Sequence, residues 1–308
     1  MSGKLKIALI GNPNSGKSTI FNDLTGLNQK VANFPGVTVE HHIGNFQLQH
    51  RSGKTIEAEL IDLPGTYSLY PKSPEELIPF RLLCNPDHPL HPDLTVVVAD
   101  GTNLKRNLFL CSQVIDLNIP VILVVNMMDL VRFRKTAIDF EGLEKKLGIR
   151  IVPMNARKKE GLDDLRVAIA DTANRPTKSH LECHSMAPNV IEGIRSAIHV
   201  NSDYNAFLVA NNLQDIESFE LAPAQRDQIK TLISDNDFNA AQMQARESLE
   251  RYKIISQLIK EHTKEENSQV QSSYSYRIDT LLTHRVWGYL IFLSILFIIF
   301  QTIFTWAS

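Results

Sequence analysis

At 308 residues the chain has room for two soluble domains, or one domain plus extras, and its net charge of −2, without a basic tract, argues against a nucleic-acid surface. Three widely spaced cysteines, Cys84, Cys111 and Cys183, with no CxxC, exclude a disulfide framework and a structural zinc site and suit a reducing compartment. Met1 to Lys6 lead straight into an apolar run and hold no signal-peptide core.

The first predicted strand is Ile7 to Ile10. It runs into Gly11-Asn12-Pro13-Asn14-Ser15-Gly16-Lys17-Ser18, which fits G-x-x-x-x-G-K-[ST], and a helical stretch, Thr19 to Leu24, follows. Strand, glycine-rich turn and helix is the arrangement in which this motif holds a polyphosphate, because the first N–H groups of a helix have no intrahelical partner. Lys17 is expected to reach the β- and γ-phosphates, and the Ser18 hydroxyl to hold Mg²⁺. Asn12, Asn14, Ser15, Gly16 and Thr19 complete the expected phosphate contacts.

A polar loop is predicted over Leu27 to Thr38, then a hairpin of two strands, Glu40 to Leu48 and Thr55 to Ile61, turning at Ser52-Gly53. Within the loop, Gly36 and Val37 precede Thr38. That threonine is the candidate switch residue, its hydroxyl on Mg²⁺ and its N–H on the γ-phosphate, so that the loop orders with GTP and releases after hydrolysis. His41 and His42 alternate across a strand and cannot chelate one ion together.

Asp62-Leu63-Pro64-Gly65 ends the second hairpin strand and matches D-x-x-G. Asp62 is expected to hold Mg²⁺, and the Gly65 N–H to touch the γ-phosphate. Thr66 stands where many relatives in this superfamily place a water-orienting glutamine, so another group must supply charge or hydrolysis is slow.

Further strands are predicted at Leu94 to Ala99, Val121 to Val125 and Ile151 to Pro153. The helices between and beyond them fall near Glu75 to Leu83, Leu104 to Leu117, Asp139 to Leu147 and Leu162 to Ala170. The result is an α/β fold with a mostly parallel, Ras-like sheet of six strands. Asn85 to Asp93 is rich in metal-ligand residue types, but its three prolines mark a surface loop, and His88 and His91 have no spacing that would converge on one ion.

Asn126-Met127-Met128-Asp129 matches N-x-x-D. The Asp129 carboxylate can accept from the ring N–H and the exocyclic amine of guanine, whereas adenine offers no such pair. Asn126 is expected to bridge the base and the phosphate loop, and Met127 to lie beside them. Asn155-Ala156-Arg157 is the expected base-capping loop, with the Ala156 N–H near the guanine carbonyl. Serine or threonine often precedes that alanine in related loops, so Asn155 is a departure.

From about Arg175 to Tyr276 strands disappear and helical patterns dominate. Phe238, Ala241, Ala245, Leu249, Tyr252, Ile255 and Ile259 fall on one predicted apolar face, the mark of a small helical domain, and Lys264 to Gln269 reads as a polar linker. Val286 to Trp306 then carries no charge, which at 1.5 Å per residue spans roughly 30 Å, one bilayer core. Trp287, Tyr289 and Trp306 suit an aromatic belt, and Arg277 and Arg285 precede the run, so a transmembrane helix with residues 1–285 in the cytoplasm is expected. The expected division is a nucleotide domain over 1–173, a helical domain and linker over 174–275, and a membrane junction and first span over 276–308.

The phosphate loop, Val31 to Thr38, Asp62 to Gly65, Asn126 to Asp129, the Arg251-Tyr252 helix and Arg277-Ile278-Asp279 together resemble the N-terminal part of the FeoB-type ferrous iron transporter. The resemblance covers essentially the whole chain. It implies a P-loop GTPase in the bacterial or archaeal cytoplasmic membrane that regulates Fe²⁺ uptake through a membrane domain beyond this sequence. In this family an asparagine at the position of Asn14 holds K⁺ against the phosphates, in place of an arginine finger. Asn14, Lys17, Thr38 and Gly65 would then carry catalysis. The helical segment would correspond to a domain that favours GDP binding. The lipid bilayer, self-association and small cytoplasmic Feo partner proteins are the further contacts implied. A membrane-tethered signalling or assembly GTPase that transports nothing fits the same residues.

Overall fold

The computed structural model describes residues 4–26, 29–33, 40–172, 179–213, 221–265, 281–284 and 286–306, with backbone alone at 29–33, 40–41, 265 and 304–306. Its main sheet has seven strands in the order β2-β3-β4-β1-β5-β6-β8. These are β1 (Leu5–Gly11), β2 (Gln29–Asn33), β3 (Glu40–Gln49), β4 (Thr55–Asp62), β5 (Leu94–Asp100), β6 (Val121–Asn126) and β8 (Arg150–Pro153). A short β7 (Thr136–Ile138) pairs separately with β9 (Thr263–Glu265). Around β1 all pairings are parallel, with β4 on one side and β5 on the other, then β6 and β8; β2-β3 and β3-β4 are antiparallel.

The sheet departs from the six-stranded expectation by one strand. Gln29–Asn33, expected as loop, pairs with β3 from Gln29 opposite Gly44 to Asn33 opposite Glu40. Its sequence, QKVAN, has weak apolar alternation. What makes it a strand is the free edge of β3, a tertiary cause that local pattern does not carry.

Side chains alternate across the central strands and divide the core into two layers. Ile7, Leu9, Val96, Val98, Ile122 and Val124 face one layer, where α1 (Lys17–Thr25) and α6 (Leu162–Thr172) pack. Ala8, Ile10, Val97, Ala99, Leu123 and Val125 face the other. That second layer takes in α2 (Pro74–Cys84), α3 (Leu104–Asp116), α4 (Met128–Phe133) and α5 (Phe140–Leu147). It continues without a break into α7 (Pro188–Ala197), α8 (Asp203–Asn211), α9 (Pro223–Asp235) and α10 (Ala240–His262). All three cysteines are free and buried here; burial pushes the Cys111 thiol up to about 12.

The apolar stripe expected on α10 is buried only in part: Tyr252 stacks on the buried Phe109 with ring centroids 4.7 Å apart. Glu247, Arg251 and Ile255 are buried, Phe238 and Ile259 are partly covered, and Leu249 is 74% exposed. Ala241 and Ala245 are exposed as well. Two charged residues at helical spacing point inward because Arg251 finds Asp116 and Glu247 as partners, which an apolar pattern cannot anticipate. Lys264 and Glu265, expected in a linker, lie in β9.

Residues 1–264 form one compact unit and 265–308 another. In the second, α11 (Trp287–Trp306) follows His284, whose Nδ1 accepts from the Val286 and Trp287 N–H groups. Over the described residues, no helix is long and apolar enough to cross a membrane. Arg277, Ile278, Asp279 and Arg285 lie outside those residues.

Candidate functional site

The strand order reverses at β1, and the crevice beyond the carboxyl ends of the strands at such a point is where open α/β sheets bind ligands. A cavity of about 630 Å³ opens there. Asn12, Pro13, Asn14, Gly16, Lys17, Ser18 and Thr19 line it from the first turn and helix, and Gly65 from the segment after β4. Asn126, Met127, Asp129 and Leu130 come from the end of β6 and the start of α4; Asn155, Ala156 and Arg157 come from the turn after β8.

The loop after β1 takes its shape from two left-handed residues. Asn14 has φ 63° and Gly16 φ 93°, and the Ser15 N–H donates to the Asn12 carbonyl at 3.2 Å. A Cβ on Gly16 would stand 2.2 Å from Asn126 Nδ2, so close approach as well as backbone conformation demands glycine. Gly16 caps α1 without any side-chain hydrogen bond, which leaves the first helical N–H groups directed at the cavity.

Asn126 ties the two ends of the site together. Its Nδ2 donates to the Ser15 carbonyl at 2.9 Å, and its Oδ1 accepts from the Ala156 N–H at 2.9 Å. The side chain is thus a strut between the phosphate loop and the turn expected to cap the base. The sequence expectation had the Ala156 N–H directed at the guanine carbonyl; here that N–H is held by Asn126.

Lys17 Nζ lies 2.5 Å from Asp62 Oδ1, and both side chains are nearly covered. This pair joins the start of α1 to the end of β4. Ser18 and Asp62 offer a hydroxyl and a carboxylate, the hard-oxygen set that suits Mg²⁺, which is bound by one or two carboxylates plus substrate phosphates. Among the described residues no group of three His, Cys, Asp or Glu could hold a metal. Gly36, Val37 and Thr38 lie outside the described residues.

After Gly65, Thr66 is 1% exposed; its N–H donates to the Gly11 carbonyl at 3.2 Å and its hydroxyl to the Ser68 carbonyl at 2.8 Å. The hydroxyl is therefore spent on its own turn. A Cβ on Gly65 would stand 3.2 Å from the Pro13 nitrogen, so this segment runs close against the phosphate loop. The Leu69 N–H then donates to Gln113 Oε1 at 2.8 Å, anchoring the segment to α3.

Besides Pro13 of the glycine-rich turn, two cavity residues are not among the expected site residues. Glu75 reaches the cavity from the first turn of α2, where Ser73 caps the helix by accepting from the Glu76 N–H. The Ser73-Pro74-Glu75-Glu76 run is a helix-start signature that could have placed it. Leu130 follows Asp129 on α4, and nothing in the motif singles it out. His91 has structural work instead: Nδ1 donates to the Leu82 carbonyl at 3.1 Å, and Asn201 Nδ2 donates to its Nε2 at 3.3 Å.

A family model described as Ferrous iron transport protein B matches residues 5–169. An Fe(2+) transporter FeoB of Leptospira biflexa is 28% identical over 98% of this chain and 44% of its own length, so the chain spans less than half of that relative. Among solved structures, a GDP-bound mutant of the S. thermophilus FeoB G-domain aligns at TM-score 0.67 with 30% identity, over 84% of this chain and 100% of that one. The cytosolic domain of the T. maritima FeoB iron transporter in its GMPPNP form aligns at TM-score 0.64 with 29% identity, over 84% and 99%.

Proposed function

The chain belongs to the Ferrous iron transport protein B family, and from that premise we propose that it is the GTP-binding and GTP-hydrolysing cytoplasmic head that regulates Fe²⁺ uptake across the cytoplasmic membrane. The observation that carries the reading is the Asn126 strut, which sets a phosphate loop and a purine-capping turn at the two ends of one cavity. The relatives' GDP and GMPPNP forms support the same ligand class.

In this reading the N–H groups at the start of α1 and Lys17 hold the phosphates, Asp129 selects guanine, and Asn155, Ala156 and Arg157 cover the base. Ser18, Thr38 and Asp62 would hold Mg²⁺, which neutralises charge on the β- and γ-phosphates. Lys17 would exchange Asp62 for phosphate oxygens. Water attacks the γ-phosphorus, the bond to the β-phosphate oxygen breaks, and GDP and phosphate leave. Thr66 cannot orient that water, since its hydroxyl is already donated to Ser68. The left-handed Asn14 at the cavity mouth would hold K⁺, which supplies the missing positive charge.

We assign 1–173 to the nucleotide domain, 174–275 to the helical domain and linker, and 276–308 to the membrane junction and first span. Supporting the span, the Ser294 and Thr302 hydroxyls in α11 donate to the Leu290 and Ile298 carbonyls, so these two hydroxyls do not need water. Hydrolysis measured in KCl and in NaCl tests the reading. The unaltered protein should be faster in KCl, and Asn14→Ala should lose that difference. Equal rates in the two salts would remove the K⁺ assignment, and no hydrolysis in either would remove the enzyme.

A further inference from the structure

The turn that follows β8 is held from outside the cavity by an ion pair that no sequence motif contains. The turn closes on itself through Asn155 N–H to the Glu160 carbonyl at 3.0 Å and Glu160 N–H to the Asn155 carbonyl at 3.2 Å. At its tip Lys159 is left-handed, φ 59°, and this throws its side chain back across the layer to α1. There Lys159 Nζ meets Asp23 Oδ1 at 3.0 Å.

Asp23 is an unfavourable place for a carboxylate. It lies in the last turn of α1, where the helix dipole opposes negative charge, and its side chain is only 12% exposed. Its Oδ2 is buried without a hydrogen-bond partner. Lys159 is the cation that compensates it. Arg166 on α6 also donates to the Asp23 main-chain carbonyl at 3.5 Å, so this segment touches Asp23 at side chain and backbone alike.

The helix that ends near Asp23 begins at Lys17 and Ser18, and the turn that carries Lys159 also carries Ala156. One element grips the phosphate end of the ligand and the other its base. We propose that the Asp23–Lys159 ion pair is a clasp that sets how fast the guanine nucleotide leaves, by keeping the base-capping turn closed on α1 while the phosphates are held. Both are positioning residues: neither lines the cavity. The inference rests on the nucleotide reading above. By linkage, a bound nucleotide strengthens the clasp by the same factor as the clasp strengthens binding.

The test is displacement of fluorescently labelled GDP from the 308-residue chain in detergent, followed by stopped flow. Lys159→Ala should speed dissociation roughly threefold, the size expected of an ion pair whose lysine is 68% exposed, with the association rate unchanged. Lys159→Arg should keep the slow rate. Lys159→Asp combined with Asp23→Lys should recover at least part of it, and Asp23→Asn added to Lys159→Ala should give no further acceleration. An unchanged dissociation rate in Lys159→Ala overturns the clasp, as does a multiplicative effect of the two single changes; either result leaves the nucleotide site standing. Failure of the unaltered protein to take up labelled GDP would sink the site and the clasp together.

Discussion

Arg251 Nη1 donates to Asp116 Oδ2 at 2.8 Å, with the two side chains 2% and 0% exposed, and this buried pair fastens α10 to the end of α3. Arg251 Nε also donates to Glu247 Oε1 at 2.6 Å, and the Tyr204 hydroxyl donates to the same oxygen at 3.1 Å. The second Asp116 oxygen accepts from the His180 N–H and the Ser179 hydroxyl. Tyr70, in the segment beyond Gly65, lies against this group: burial first, then Glu247, pushes its phenol up, while Arg251 opposes. The segment that follows the D-x-x-G motif and the long helix α10 therefore share one polar cluster.

Breaking that cluster from the cationic side strands two carboxylates. Arg251→Ala should cost about 3–5 kcal/mol, read by urea unfolding, and a cost under about 1 kcal/mol would contradict the buried pairing. Arg251→Met, which keeps the volume, should be no milder, since the charges left behind are what hurt.

Asn126→Ala removes both ends of the strut. Losing two buried hydrogen bonds, about 1–3 kcal/mol, should weaken GDP binding roughly ten- to hundredfold in a calorimetric titration. Affinity within twofold of the unaltered protein would show that the phosphate loop and the capping turn hold their positions without it.

His91 gives a pH signature. Desolvation by burial lowers its pKa below the ordinary 6.5, with the Leu82 carbonyl opposing, so the folded state holds the ring neutral. As pH falls through the ordinary imidazole value the unfolded chain takes up the proton first, and stability declines until the folded ring titrates too; above that value there is no penalty. His91→Gln should therefore show a shallower loss of melting temperature below pH 6.5 than the unaltered protein. Parallel acid profiles would mean that His91 is not held neutral.

Two residues of the apolar stripe expected on α10 make opposite predictions. Leu249→Ala, at a site 74% exposed, should change stability by less than about 0.5 kcal/mol. Ile255→Ala, at 1% exposed, should cost about 2–5 kcal/mol. A reversed order would contradict the packing of α10 against the core.

Part of this structure is written in local sequence. Continuous apolar runs in β1, β5 and β6 and the glycine turn after β1 place the central strands and that turn, because strands buried on both faces and left-handed turns are marked by a few neighbouring residues. β2 is not legible in its own residues because its cause is the edge of β3, and neither is the inward turn of Arg251, whose cause is Asp116, 135 residues away. The same holds in the site. Asn126 was legible as a bridge, but its second partner, the Ala156 N–H, and the Asp23–Lys159 contact arise only once β8 and α1 are folded against the same sheet.

The most direct measurement is competition of GTP and ATP for the purified protein, with Asp129→Asn beside it. The account predicts a strong preference for GTP, at least about a hundredfold since a buried carboxylate left unpaired by adenine costs several kcal/mol, and loss of most of that preference in the variant. Equal affinity for the two nucleotides in the unaltered protein would contradict the assignment of this cavity.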